Sequence, residues 1–310
     1  MSVLVVGSIA LDSVETPFGR VSEAQGGSAS YAAVAAAQLA PVRVVGVVGE
    51  DFPPAYRRVF RRPNIDGAGI EVVKGGRTFR WSGVYHYDMN SRDTLETQLN
   101  VFAGFRPTLP DGWNNTPFVF LGNIHPALQL QVLEQMRRPR CVVCDTMNLW
   151  IETTPREVEQ LFRRVHAVVL NDAEARQFCA EPNLFKAARK LLRLGPRIVV
   201  IKKGEHGCLL FTRDQFFAAP AYPLQNVKDP TGAGDTFAGG FIGWLARAGR
   251  LSPSALRQAV VVGSAMASFC VEDFSLKRLL RVTPAQLGAR CAEFARFSRV
   301  PRINIGPPRR

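Results

Sequence analysis

Several features are missing from these 310 residues, and each absence removes a class of protein. No window of about 18 residues is both apolar and uncharged, so a membrane-spanning helix is not expected. Histidine is scarce: His86, His125, His166 and His206 lie far apart, without the spacing of a metal site. Neither the Gly-Lys-Ser/Thr phosphate-binding loop nor the Gly-x-Gly-x-x-Gly dinucleotide fingerprint occurs. There is no run of five like charges, no aromatic-studded nucleic-acid motif, no internal repeat and no low-complexity linker.

Acidic residues are in short supply too. The 26 Asp and Glu against 39 Lys and Arg leave a net charge of +13. A basic stripe would favour nucleic acid or anionic lipid, whereas a diffuse excess solvates the fold and draws in anionic ligands. The arginines are scattered: Arg57, Arg58, Arg61 and Arg62 in one segment, Arg137, Arg138 and Arg140 in another. A third, Pro-rich group spans Arg299 to Arg310, where fraying is expected. The diffuse reading is favoured, so neither a membrane nor nucleic acid is an expected partner.

What is present is a large apolar complement. Hydrophobic residues make up 46%, including 20 Phe, enough to exclude disorder and to build one large domain over 1–310. The six cysteines include Cys141 and Cys144, which lie in an apolar strand where residues three apart face opposite ways. They read as buried free thiols in a reducing compartment. With no charged leader or cleavage site in the first residues, a cytoplasmic protein is expected.

The run Val3–Val6 is continuously apolar, the pattern of a strand buried on both faces. Gly26-Gly27-Ser28 opens an Ala-rich helix to about Leu39, with Ser28 as its cap, and Val42–Val48 is the next buried strand. Strand, helix, strand is the repeating unit of a parallel sheet. Residues 70–105 break the rhythm: 78–87 and 94–102 are aromatic and β-branched around a turn at 88–93, a hairpin signature. A second lid strand falls near 12–20. Strands then resume near Phe118–Leu121, Cys141–Asp145, Ala167–Leu170, Ile198–Lys202 and Cys208–Phe211, with helices near 126–136, 154–164, 173–179 and 184–194. The fold class is α/β, with a mostly parallel sheet and a small β lid.

The segment Asp229–Phe241 carries the most chemistry. Gly232 and Gly234 allow a tight turn with outward-facing amides. From Asp235 onward Phe237, Phe241, Trp244 and Leu245 share a helical face. The turn is therefore a helix amino terminus, whose free N–H groups suit a phosphate in transfer. Asp235 would accept a proton from an attacking hydroxyl, worth roughly 10²–10⁴-fold. Alternatively it is only a helix-terminal carboxylate, worth about 0.3–1 kcal/mol.

Residues 229–242 resemble the carboxy-terminal signature of the PfkB (ribokinase-like) carbohydrate kinases. Gly7–Asp12, the Gly26-Gly27 pair, Val47–Asp51, Asn171–Glu174 and Lys202–Gly207 follow in the family's order. The resemblance implies a three-layer ribokinase-like domain and an ATP-dependent, Mg²⁺-requiring phosphotransferase. Asp235 would be its base, and the amides of Gly232, Ala233 and Gly234 its anion hole. Asn171 and Glu174 would organise Mg²⁺ through water, although the same pair reads equally as a capping box. Lys202, Gly204, Gly207 and Thr231 would face the nucleotide, and alternation allows Lys202 or Lys203 to point at ATP, not both. The helix Ser254–Glu272 would flank the adenine. Asp229 matches where relatives hold a monovalent cation such as K⁺, but the small-residue loop there is replaced by Glu272-Asp273-Phe274.

On the acceptor side, Asp12 would grip sugar hydroxyls, with Gly26 and Gly27 giving the backbone close approach. Tyr31 stands where the family has an Asn that bonds the substrate. Asp145 and Asn148 resemble a D-x-N strand end with one extra residue between them. Phe79, Trp81, Tyr85 and Tyr87 alternate onto one strand face, which would stack a ring, pack on the domain or pair two lids in a homodimer. The expected acceptor is a small sugar or polyol, with an adenosine-like nucleoside as the alternative. A regulatory or nucleic-acid-binding protein on a retired kinase fold is the rival from another class.

Overall fold

A computed structural model describes residues 1–299; the basic, Pro-rich stretch 300–310 lies outside them. In chain order the strands are β1 (Val3–Val6), β2 (Ala10–Thr16), β3 (Gly19–Gly26), β4 (Val42–Gly49), β5 (Ile65–Val73), β6 (Phe79–Tyr85), β7 (Arg92–Gln98), β8 (Phe118–Leu121), β9 (Cys141–Cys144), β10 (Ala167–Asn171), β11 (Ile198–Lys202), β12 (Cys208–Phe211) and β13 (Phe216–Ala219). The helices are α1 (Ser28–Ala37), α2 (Pro54–Arg57), α3 (Pro126–Gln135), α4 (Asn148–Thr153), α5 (Pro155–Arg164), α6 (Asp172–Cys179), α7 (Leu184–Leu194), α8 (Ala233–Ala248), α9 (Pro253–Cys270) and α10 (Pro284–Phe297).

The main sheet has nine strands in the order β13-β12-β11-β10-β9-β8-β1-β4-β5. All neighbours pair in parallel except β12 and β13 at one edge. The chain starts in the middle at β1, winds outward through β4 and β5, then returns beside β1 with β8 and winds the other way. The strand order therefore reverses between β1 and β8, and ligands gather outside the carboxyl ends of strands at such a switch point. Every strand residue of β1, β8 and β9 is buried, because helices cover both faces. Val3 and Val5 pack in one core layer with α1, α8 and α9; Leu4 and Val6 pack in the other. Cys141 and Cys144 fall in different layers, as alternation requires, and burial pushes the Cys141 thiol up to about 12.

A separate four-stranded sheet, β3-β2-β6-β7, forms the lid. The lid strand expected near 12–20 is two strands, β2 and β3, and the hairpin part of the lid begins at Phe79, later than the composition of 70–105 suggests. Residues 65–73 pair with β4 in the main sheet, and 100–104 form a short 3-10 turn instead of extending β7. Ser28 does not cap α1. Gly27 occupies the cap position, and the Ser28 hydroxyl instead accepts the Ser8 N–H at 3.0 Å, while the Ser8 hydroxyl accepts the Ser28 N–H. This reciprocal pair ties the end of β1 to the start of α1. The aromatic row of β6 also divides. Phe79 stacks on Phe102 at 5.4 Å, Tyr85 is buried, and Tyr87 is 85% exposed beyond the strand end.

The helix α8 contains Gly239, Gly240 and Gly243, poor helix formers at about 1 kcal/mol each relative to Ala. A Cβ on Gly239 would lie 2.3 Å from the Ala32 carbonyl oxygen, and one on Gly243 2.9 Å from the Ala36 Cα. Backbone-to-backbone contact with the Ala-rich α1 explains both choices. Among the described residues, no helix is long and apolar enough to cross a membrane.

Candidate active site

Three adjacent parallel strands end together at one rim of the sheet. Asp145 follows β9, Asn171 closes β10, and Lys202 closes β11 in register with Asn171. Parallel register sets Asn171 beside Lys202, and Asp145, two residues short of that level, is joined to them by the lysine side chain. Lys202 turns inward: its Nζ donates to Asp145 Oδ2 at 2.8 Å, and a Cβ on Gly234 would meet that Nζ at 2.9 Å. Of the neighbouring lysines, then, Lys202 faces the cleft, while the Lys203 backbone N–H closes the next turn on the Gly207 carbonyl. Asp145 belongs to this centre more firmly than its loose motif suggests.

Asn171 and Glu174 form a reciprocal capping box at the head of α6. Asn171 N–H donates to Glu174 Oε2 at 2.7 Å, and Glu174 N–H to Asn171 Oδ1 at 2.8 Å. The capping reading of this pair is observed, and Glu174 Oε1 accepts no hydrogen bond among the described residues. Burial, with Asp145 nearby, pushes the Glu174 carboxyl up to about 7.

Opposite this rim, Gly232 takes φ +75° and caps α8. Of the three amides expected to form an anion hole, that of Ala233 donates to the Pro230 carbonyl at 3.1 Å, while those of Gly232 and Gly234 have no backbone partner among the described residues. Gly232 is required for a second reason: a Cβ there would meet the Tyr31 ring at 2.4 Å. Tyr31 is buried, and its ring forms the floor beneath the turn rather than reaching out as an amide would. Asp229 steadies the same loop, accepting the Thr231 N–H at 2.8 Å and the Ser275 N–H at 3.4 Å. Asp235, half-buried in the first turn of α8, has its carboxyl pushed up to about 7 by burial and by Asp145.

The lid supplies the remaining wall. Asp12 in β2 lies directly across from Trp81 in β6, so both side chains share a face. Asp12 is buried against Gly26, where a Cβ would lie 1.8 Å from its Oδ2, so only glycine fits this cradle. Burial, then Asp229, raises the Asp12 carboxyl to about 7. Tyr85 brings its hydroxyl to 3.4 Å from that of Thr231, just before the anion turn. At the lid tip, Asn90 donates to Glu205 Oε1 at 3.5 Å and abuts Gly204. The lid therefore touches both the 229–235 loop and the 204–207 turn. The Tyr85–Thr231 contact joins the lid to the 229–235 loop, and the approach of Lys202 to Gly234 joins that loop to the rim of β9, β10 and β11.

Arg92 opens β7, two residues before the expected start of that strand at 94. It pairs with Tyr85 and shares its face, its guanidinium carbon lies 5.6 Å from the Trp81 ring centroid, and it is exposed, as a charge beside a turn is expected to be.

The cleft suits transfer of an anionic group. Two helix-head amides without a backbone partner and a half-buried lysine would face an anion placed between them, and carboxyls raised to about 7 would take a proton. Its acids do not form a self-contained metal cage: no cluster of three or more His, Cys, Asp or Glu among the described residues could hold an ion. One oxygen of Glu174 is nevertheless open, and Mg²⁺ is ordinarily held by one or two carboxylates plus water and substrate phosphates.

The sequence profile described as pfkB family carbohydrate kinase matches residues 2–280. A cytidine kinase of Thermococcus kodakarensis is 29% identical over 252 residues, which is 80% of this chain and 89% of that protein. The nucleoside kinase of Methanocaldococcus jannaschii superposes with TM-score 0.76 at 19% identity, covering 94% of this chain and 98% of that one. That of Burkholderia thailandensis, in complex with ADP and inosine, gives TM-score 0.77 at 18% identity, covering 94% and 95%.

Proposed function

The chain belongs to the pfkB family of carbohydrate kinases, and from that premise we propose a nucleoside as the acceptor of its ATP-dependent phosphotransfer, with the γ-phosphate passing to the primary hydroxyl. A sugar or polyol stands ahead of a nucleoside on sequence alone. Two observations reverse that order: the half-buried Trp81 directly across from Asp12, and the likeness to cytidine and nucleoside kinases. Asp12 would accept hydrogen bonds from two ribose hydroxyls, and Trp81 would stack the base.

In this reading Asp235 accepts the proton of the attacking hydroxyl. The new O–P bond forms as the bond to the β-phosphate oxygen breaks, and ADP leaves with that electron pair. The amides of Gly232 and Gly234 would hold the equatorial oxygens, and that of Ala233 would join them on leaving the Pro230 carbonyl; Lys202, steadied by Asp145, would offset their charge. Mg²⁺, held through Glu174 and water, would neutralise and orient the phosphates when bound. Both Asp229 oxygens already accept amide N–H groups, so a monovalent cation there would be held by loop carbonyls. Lid closure excludes water that would otherwise hydrolyse ATP. A homodimer through the outer lid face is part of the proposal, and sedimentation would test it.

The observation that supports the reading best is the placement of Asp12 and Asp235 in one cleft, on the lid and on the head of α8. An ADP-release panel of cytidine, other nucleosides, ribose and inositols tests it. Turnover of nucleosides well above free sugars is expected; the reverse order would return the acceptor to a sugar, and no turnover on any member would remove the reading.

A further inference from the structure

We infer that Ser275 is a positioning residue whose buried hydroxyl fastens the acceptor cradle at Gly26-Gly27 to the loop that carries the anion turn. The inference rests on the reading of Asp12, Asp235 and the 232–235 turn given above.

The backbone marks the position. Among the described residues, seven other than glycine have positive φ, and six of them, from Glu23 to Ala180, are not buried. Ser275 is the seventh, at φ +58° and 8% exposed. A Cβ in left-handed backbone crowds a neighbouring carbonyl oxygen, so glycine is the ordinary choice there. Strain of this kind persists where the surroundings over-determine it, and it clusters at working sites.

The contacts show what the strain holds. Ser275 Oγ donates to the Gln25 carbonyl oxygen at 2.5 Å, and the Ser275 N–H donates to Asp229 Oδ2 at 3.4 Å. Gln25 is itself buried and immediately precedes Gly26, which cradles Asp12. Asp229 in turn accepts the Thr231 N–H at 2.8 Å, next to Gly232. One residue therefore bonds to the acceptor cradle through its hydroxyl and to the anion loop through its amide. Glycine at 275 would take the same φ freely but would have no hydroxyl for Gln25. A second tie runs alongside: Thr16 Oγ1 donates to the Lys228 carbonyl at 2.9 Å, and the Lys228 N–H to that of Val271 at 2.8 Å. The β2–β3 hairpin is thus fastened near both its ends to the 228–231 and 271–275 loops.

The tie controls distance. Asp12 and Gly26 would hold the acceptor and the turn would hold the phosphoryl group, so the gap between reacting atoms follows the gap between cradle and turn. Those atoms must come to about 3–3.5 Å, and a misplacement of about 1 Å costs on the order of 10²-fold in rate. In this role Ser275 moves no proton and acts only through Gln25 and Asp229.

The test is steady-state kinetics and thermal melting of S275G and S275A beside the unaltered enzyme and D235N, with ATP and the best acceptor of the panel. Both substitutions remove the hydroxyl, but glycine accepts a positive φ more readily than alanine, so S275G should melt above S275A. At a temperature well below both midpoints, kcat of each should be about 10–100-fold below that of the unaltered enzyme, with KM for both substrates within about threefold. A serine that served stability alone would give a different result: activity would follow the melting temperature, and S275G would keep most of it. A kcat for S275G within about threefold of the unaltered enzyme therefore overturns the inference, as does a rise in acceptor KM with kcat held. If the unaltered enzyme turns over and D235N does not, a normal S275G sinks this inference and leaves the kinase reading intact. If the unaltered enzyme turns over nothing, both fall.

Discussion

Asp235 combines two properties that seldom meet on an exposed acid: a place in the first turn of a helix and a carboxyl raised to about 7 by burial and by Asp145. As a base it must be ionised, so kcat/KM should climb with pH through about 7 and level off above it. A profile flat from pH 5.5 to 8.5 would remove it from that role. Asp235→Asn should lower transfer by at least about 10²–10⁴-fold while ATP still binds, measured by calorimetry. Stability runs the other way. Asp12, Glu174 and Asp235 have folded pKa values above their ordinary ones, so the folded chain binds more protons than the unfolded between about pH 4 and 7. Each of these groups therefore favours folding more as pH falls through that window. At pH 8 Asp12→Asn should raise the melting temperature, equivalent to about 0.5–2 kcal/mol, and below pH 5 the gain should vanish. The turn at 232–235 was legible as a helix head because glycine and helix geometry fix it locally. The place of Tyr31 was not: it depends on Gly232, about two hundred residues away in sequence.

At the scale of elements, strands buried on both faces were legible as apolar runs, and β8, β11 and β12 have the bounds their composition predicts. β5 was not, because an edge strand reading Ile-Asp-Gly-Ala-Gly-Ile-Glu-Val-Val has half its residues exposed and no clean period. Its neighbour 79–98 carries the β-branched signal, which drew the lid boundary too early. The α1–α8 contact is also invisible in sequence, since glycines inside a helix pattern only weaken it. Gly239→Val would drive a side chain into the Ala32 carbonyl and should cost about 1–3 kcal/mol or more, read as a lower urea midpoint with unchanged m-value. Gly288→Ala in α10, where a Cβ meets nothing within 4 Å, should instead be neutral or stabilising.

Over the whole molecule, a net +13 surrounds a cleft whose own side chains are mainly acidic. In the proposed reaction the field outside would draw nucleotide polyanions in, while the acids would serve a metal ion and proton transfer. Steering of this kind is screened by salt, with a Debye length of about 10 Å at 0.1 M. The kcat/KM for ATP should therefore fall severalfold between about 0.05 and 0.3 M ionic strength while kcat changes little. Equal sensitivity in both would place the charge effect inside the chemical step.

The Asn90–Glu205 contact fastens the tip of the lid hairpin to the 204–207 turn. If the hairpin roofs the acceptor and that turn borders the nucleotide, as proposed, one opening would free both products, and loosening this latch would be felt by the two departures alike.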